Sequence, residues 1–456
     1  RGGRARQRRP GGCMTTAARA NPRVRLPQRP GDPANVVLRG ARLLDPAAGI
    51  DAVGDLVVRD GVIGGDAAGL EEVDAAGLTV IPGIVDVHVH LRTPGKEHAE
   101  DITSGTASAA AGGVVTVLAM PNTQPPTDNP SILGSLLQRA AQEAVVPTGF
   151  IPAITVGQQG DALTEHGDLA EAGAAALSDD GVPVESALVM RRALQYQRAT
   201  GLLFTLHEED MSLSGDGVMH EGVVSARIGL SGIPGVSEAV QVARDCALAG
   251  YEDGRIHICH VSARETVEEI RRAKERGVQV TAEVTPHHLL LTEDVIDGDP
   301  DPARFKMNPP LRSEDDRQAL IEGLIDGTID CIATDHAPHP ADEKENPFAA
   351  APFGVIGLET AFAACNTELV EGGHMPLSDL VVRMSTIPAQ VFGLPVPTLA
   401  EGAPANLAVI DTAAVDRVGD RPYASKSINA AFTGMDLTGR VVMTIAGGQD
   451  VYRRTA

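Results

Sequence analysis

The chain has 456 residues, 43% of them hydrophobic and 22% charged, which provides for a large folded core and excludes a fibre or a disordered chain. Its 38 basic and 61 acidic residues leave a net charge of −23, a field that repels nucleic acid. No apolar run is long enough to span a bilayer, so no membrane partner is expected either.

Five arginines fall within the first nine residues, ahead of the first methionine, Met14. No cleavable apolar stretch follows them, so 1–34 reads as a disordered or non-native extension, with folding expected to begin near Asn35. Residues 35–81 then read as short strands (NVVLRGARLLD, DLVVRDGVIGG, LTVIPG) parted by Gly and Asp turns, and 398–456 reads likewise. Neither set could bury a face alone, so the two chain ends are expected to form one small β-sandwich domain.

Between them, 82–397 alternates apolar, β-branched runs with helical stretches. Eight candidate strands lie at 84–90, 114–120, 149–155, 174–180, 202–208, 255–262, 278–286 and 330–336, with helices such as 131–144, 185–200, 237–249, 264–276 and 314–325. This rhythm predicts an α/β chain, a (β/α)8 barrel of the TIM type. Cys13, Cys246, Cys259, Cys331 and Cys365 are scattered and odd in number, with no CxxC pair, which points to a reducing cytoplasm.

The chemistry gathers at the ends of these strands. His88 and His90 in VDVHVH are two residues apart, so the period of a strand puts both imidazoles on one face. Asp180, His207, His260 and Asp335 fall near the C-terminal ends of later strands, the rim where barrels of this kind build their sites. Four imidazoles and two carboxylates converging there would lack partners without cations. The set suits Zn²⁺ and also accommodates Co²⁺ or Mn²⁺. Six ligands exceed one open tetrahedral site and suit two metals roughly 3.5–4 Å apart sharing a carboxylate. His257, three residues before His260, reads as a packed strand histidine, and His287 and His288 as supporting hydrogen-bond groups. The polar, then Gly/Pro-rich, stretch 339–355 reads as a lid.

HVHLR (88–92), AMPNT (119–123), SDDG (178–181), CHVS (259–262), AEVTPHHLLLT (282–292), KMNPPLR (306–312), DCIATDHAPH (330–339) and APFGVIGLET (351–360) occur in one order. In these blocks the chain resembles class I dihydroorotases of the amidohydrolase superfamily from about residue 36 to its end. The resemblance implies a binuclear zinc site in which His88, His90 and Asp335 hold one ion and His207 and His260 the other. Asp180 would bridge them, in the place where many superfamily members use a carbamylated lysine. It further implies substrate contacts from His90, Arg92, Asn122, Asn308, His339, Phe353 and Gly354, with Asp335 as catalytic base and then acid.

The reaction so implied is the reversible cyclisation of N-carbamoyl-L-aspartate to L-dihydroorotate and water in pyrimidine (UMP) biosynthesis. Two alternatives stand beside it: a dihydropyrimidinase-, hydantoinase- or allantoinase-like hydrolase, and a non-catalytic partner of aspartate transcarbamoylase. The resemblance leaves open a homodimer and a complex with that transcarbamoylase.

Overall fold

Ile84–Val89 (IVDVHV) is buried along its whole length, as a strand covered on both faces must be. In the computed structural model, which describes residues 23–455, it pairs in parallel with Val114–Ala119, and that strand with Thr148–Phe150. A second parallel set runs in chain order through Phe204–Leu206, Arg255–Ile258, Gln279–Val284 and Cys331–Ile332.

Two junctions join these sets into a closed circuit. On one side, Ala175 N donates to Phe150 O at 3.0 Å and Leu177 bridges in parallel to Phe204. On the other, His336 bridges in parallel to Val89 and His90 N donates to His336 O at 2.8 Å. The stretch 174–180 enters the circuit without forming a regular strand. Its backbone still bonds to both neighbours, Ser178 N to Pro152 O and Leu177 N to Leu203 O, both at 2.9 Å, and beyond them Asp179 Oδ1 accepts from the backbone N–H groups of Ile154 (2.8 Å) and Thr155 (3.1 Å), a side chain in place of a ladder bond.

The helices between the strands start where their caps dictate. Pro130–Glu143 follows Asn129, whose Oδ1 accepts from Ser131 N (3.0 Å) and Ile132 N (3.1 Å), with proline in the first turn. Glu314–Asp326 starts on a capping box between Ser313 and Asp316. Leu133, Leu136, Val242, Val267, Ile270, Leu320 and Leu324 from four helices pack into the same apolar cluster as the strands they cover.

The two chain ends share one eight-stranded sheet. Thr79–Pro82 is its hinge, parallel to Val36–Asp45 and antiparallel to Leu407–Arg417. Val36, Leu38, Val58, Val80, Leu407, Val409, Met443 and Ile445 form a separate apolar cluster within it.

One expectation is corrected at the N-terminal side. Order does not begin near Asn35: Arg25 N donates to Gly173 O (3.2 Å), Arg29 N to Ala144 O (3.0 Å), and Pro27 O accepts from Thr148 N (3.0 Å). Val24 and Leu26 pack against an apolar cluster that includes Leu118 and Ile151, and this burial holds a segment that the arginine-rich start and the missing targeting stretch had marked as an extension. The remainder of the expected extension, 1–22, lies outside the described residues, as does Cys13. Cys246, Cys259, Cys331 and Cys365 are buried free thiols. No described helix is long and apolar enough to cross a membrane.

Candidate active site

His88 is the penultimate residue of the strand Ile84–Val89, and His90 follows the strand directly. His207 follows Phe204–Leu206, His260 lies two residues past Arg255–Ile258, and Asp335 three past Cys331–Ile332. Asp180 comes from the irregular segment beside them. All six are buried, and they converge on Asp180. His88 Nε2 is 3.4 Å and His260 Nε2 3.8 Å from Asp180 Oδ1, which also lies 3.9 Å from His207 Nδ1. His90 Nε2 is 3.7 Å from Asp180 Oδ2 and 2.9 Å from Asp335 Oδ1, and His88 Nε2 is 3.5 Å from Asp335 Oδ1.

The backbone at this rim is forced. Arg92, His260 and Asp335 have φ of +54°, +31° and +47°, a region that side chains with a Cβ rarely adopt. Such strain persists only where surrounding packing holds it, and it concentrates at functional sites.

The hydrogen bonds set which ring nitrogens face inward. His88 Nδ1 lies 2.7 Å from Glu283 Oε1, and His90 Nδ1 2.8 Å from Asn122 Oδ1. His207 Nε2 lies 3.2 Å from Glu209 Oε2. Each of these nitrogens therefore donates outward, which turns the other nitrogen inward: those of His88 and His90 toward Asp180 and Asp335, and His207 Nδ1 toward His260 Nε2 at 3.0 Å with Asp180 beyond it. His88 Nε2 and Asp180 Oδ1 are buried without a hydrogen-bond partner. Bare acceptors facing each other at such distances attract positive charge. Among the described residues three groupings have the closeness needed to hold a metal ion, His88–Asp180–His260 and His88–His90–Asp335 at the cluster and His88–Cys259–Glu283 behind it. The donor set of imidazole and carboxylate fits a borderline-hard dication.

The same crowding perturbs titration. Burial pushes the Asp335 carboxyl up, but hydrogen bonding to His90 and the nearby His88 outweigh it and hold the group well below its usual range. Asp180 behaves alike through His88 and His260. Burial alone would depress His88, yet the surrounding Cys259, Asp180 and Glu283 raise it well above its ordinary value. All three shifts report one demand, positive charge in the middle of the cluster.

A cavity of about 230 Å³ opens over these groups. Its lining brings in the residues that the resemblance marks as substrate contacts beside His90: Arg92, Asn122, Asn308, His339, Phe353 and Gly354. Asn122 Nδ2 donates to Asp180 Oδ2 at 3.0 Å, so one amide ties His90 to Asp180. Arg92 donates through Nε to Pro338 O (3.0 Å), and its Nη2 lies 3.3 Å from His339 Nε2. Burial and the charge of Arg92 lower His339 to about 4, while Glu343 Oε2, 2.9 Å from its Nδ1, pulls the other way. Gly354 has a φ of +131°, and a Cβ there would stand 2.9 Å from Ala337 O and 3.0 Å from His339 Nε2, so only glycine lets the loop approach this closely.

The comparisons with known proteins bear on this arrangement. A family model described as dihydro-orotase-like matches residues 77–266. A dihydroorotase of Anaeromyxobacter sp. (strain K) is 48% identical over 421 residues, covering 91% of this chain and 97% of the relative. One from Geobacter metallireducens is 46% identical over 426 residues, covering 92% and 100%. The chain belongs to the dihydroorotase family. Among solved structures, the L-hydantoinase (dihydropyrimidinase) from Arthrobacter aurescens superposes with a TM-score of 0.79 at 27% identity, covering 93% of this chain and 97% of that one. The dihydropyrimidinase from Brevibacillus agri shares the fold at 21% identity, with a TM-score of 0.79 and coverage of 92% and 95%. Dihydroorotase-family membership thus sits on the mixed α/β architecture of cyclic-amide hydrolases.

Two residues of this family member escaped the sequence reading. Glu283 holds His88 and also receives His257 Nε2 at 3.1 Å, so His257, read as packing, completes a buried His88–Glu283–His257 chain. Burial would raise Glu283, but the two histidines bring it down to about 2. Glu209 holds His207 and accepts from Asn308 Nδ2 at 2.8 Å, linking the cluster to the cavity wall. The sequence signal for Glu283 was partial: an acid between Ala282 and Val284 in a parallel strand calls for a partner without naming it.

Proposed function

We propose that this chain is a dihydroorotase that interconverts N-carbamoyl-L-aspartate and L-dihydroorotate, its barrel over 82–397 being of the (β/α)8 type. The small β-domain comprises 35–81 and 398–456, its continuous sheet curled over its own core as a sandwich. The single observation that carries the functional reading is the meeting, in one cavity, of the His/Asp cluster with Arg92, Asn122 and Asn308. His88, His90 and Asp335 would hold one Zn²⁺, His207 and His260 a second, with Asp180 shared. Ions bound there supply Lewis acidity and lower the pKa of water from 15.7 toward about 7.

The chain's own residues do the rest. A guanidinium fork at Arg92 matches the substrate's carboxylate, and Asn122 and Asn308 offer amide donors and acceptors to a ureide-like ring edge. During ring opening, water adds to the ring amide carbonyl and the C–N bond breaks. Asp335, ionised by its histidine neighbours, accepts the water's proton and returns it to the leaving nitrogen. Opening generates a carboxylic acid with a pKa of about 3.9 and so releases a proton at neutrality, which means alkaline solution favours opening and acid favours closure. The buried free thiols fit a cytoplasmic setting.

The test is metal analysis and a ring-opening assay on the same purified chain. Two zinc ions per chain and turnover of L-dihydroorotate are expected. Turnover of hydantoin or allantoin without dihydroorotate would shift the reading to the hydantoinase-like hydrolases whose fold the chain shares. Size-exclusion of the active chain, alone and with aspartate transcarbamoylase, reads homodimer against complex. Asp335→Asn should lose about 10²-fold or more in turnover while keeping some metal, and unimpaired turnover would remove it from the mechanism. Asp180→Ala should lose metal and activity together, and a fully metallated variant would contradict its bridging role.

A further inference from the structure

The loop 339–355 ends in Phe353 and Gly354 at the cavity wall, and two buried ammonium groups grip its backbone from behind. Lys344 Nζ donates to Lys306 O and to Pro352 O, both at 3.0 Å. Lys306 Nζ in turn donates to Phe348 O (2.9 Å) and Ala349 O (3.0 Å), and it stands 4.6 Å from the centre of the Phe353 ring. The Lys306 carbonyl takes a second bond, from Gly354 N at 3.0 Å. From the other side Asn429 donates to Gly354 O at 3.1 Å and accepts from His339 N at 3.3 Å.

Both lysines are nearly inaccessible, at 7% for Lys344 and 3% for Lys306. Among the described residues neither makes an ion pair with a carboxylate. Buried ammonium groups without a counter-ion are costly, and lysine is seldom fully buried unless paired. Here four backbone carbonyls replace the counter-ion. Those carbonyls belong to the two segments that present substrate-facing groups, 306–308 with Asn308 and 348–354 with Phe353 and Gly354.

We infer that Lys344 is a positioning residue for substrate recognition, one that staples these two segments into a single preformed edge of the cavity. The inference rests on the dihydroorotase reading for its substrate. On this account 339–355 is not the lid that its composition suggests. Recognition occurs on a backbone already in place, and binding need not cover the ordering of a loop.

Lys344→Met keeps the aliphatic stem and removes the donors, whereas Lys344→Arg keeps charge and donors. Three readouts apply: KM and kcat for L-dihydroorotate, zinc content, and the rate at which a protease cuts 339–355 in the folded, substrate-free protein. For the Met variant we expect KM to rise roughly tenfold and kcat to change less than about threefold. Zinc should be retained and loop cleavage accelerated, with partial return of KM in the Arg variant. An unchanged KM in a zinc-replete Met variant overturns the inference, as does a joint loss of zinc and kcat. If the wild-type chain does not turn over dihydroorotate, the functional reading fails. Proteolysis still decides the staple, because equal cleavage of wild type and Lys344→Met overturns it without any substrate. Should the Met variant not fold, Lys306→Met is read in the same way, since its ammonium holds the adjoining carbonyls.

Discussion

His88 shows how much of the site depends on residues that never face the cavity. Its inner nitrogen points at Asp180 and Asp335 only because Glu283 takes the outer one. Glu283→Gln preserves shape but removes the charge that fixes the tautomer, and it should weaken zinc binding about 10- to 100-fold. Titration against a competing chelator would measure this, and an unchanged affinity would show that Glu283 serves packing alone. The six clustered residues were legible in the sequence because strand period and strand-end position are local properties. Glu283 was not, because the meaning of a lone acid in a strand depends on which ring lies across the sheet. Lys344 was hidden for the same reason, since lysine in a polar loop reads as solvated. Burial and the charge of Lys306 lower Lys344 to about 7, with Asp301 pulling the other way. Its unfolded value is near 10.4, so between about pH 7 and 10 the unfolded chain binds more protons at this group. The destabilisation it causes is therefore full below pH 7 and fades as pH rises through that window. Buried thiols such as Cys259, pushed up to about 12, act oppositely. The difference in stability between wild type and Lys344→Met isolates the lysine, and denaturant unfolding should show it shifting in favour of wild type from neutral to alkaline pH. A difference constant with pH would refute the shift.

At the scale of elements, periodicity located the helices to within a few residues: 131–144 against Pro130–Glu143, 264–276 against Arg264–Glu275. These segments carry both an apolar face and terminal signals, so local information suffices. The segment 174–180 departs from expectation. Its Ala-rich start looks like a buried strand, yet Asp179 diverts the backbone bonding of 154–155 to its own carboxylate. The π-helical turns at Asn366–Glu371 and Val382–Thr386 were not foreseen, since they have no signature in residue type. Caps, in contrast, are explicit in the sequence. Ser313 accepts from Asp316 N at 3.3 Å at the start of Glu314–Asp326. Ser313→Ala should cost about 1 kcal/mol in denaturant unfolding, with activity unaffected, and a neutral result would mean that Asp316 alone satisfies the helix start.

Across the whole molecule, the stretch 23–34 ties the circuit of parallel strands to the terminal sheet. It bonds to Ala144, Thr148 and Gly173 on one side, and Ala34 N donates to Gly448 O at 2.7 Å on the other. Removing residues 1–34 should therefore lower the thermal midpoint by at least about 2 °C, read by calorimetry, because it uncovers the apolar surface under Val24 and Leu26. An unshifted midpoint would restore Asn35 as the effective start. The circuit itself closes where His336 meets Val89, and the cluster straddles that seam: His88 and His90 come from the first strand, Asp335 from the last. A nascent chain emerging from the ribosome would thus expose its histidine pair early and wait hundreds of residues for the acid that completes the seat. A dication that needs His88, His90 and Asp335 together could be taken up only after the closing strand is made, whereas the grouping of His88, Asp180 and His260 is already in hand some seventy residues earlier, so the order of synthesis would separate the two loading events.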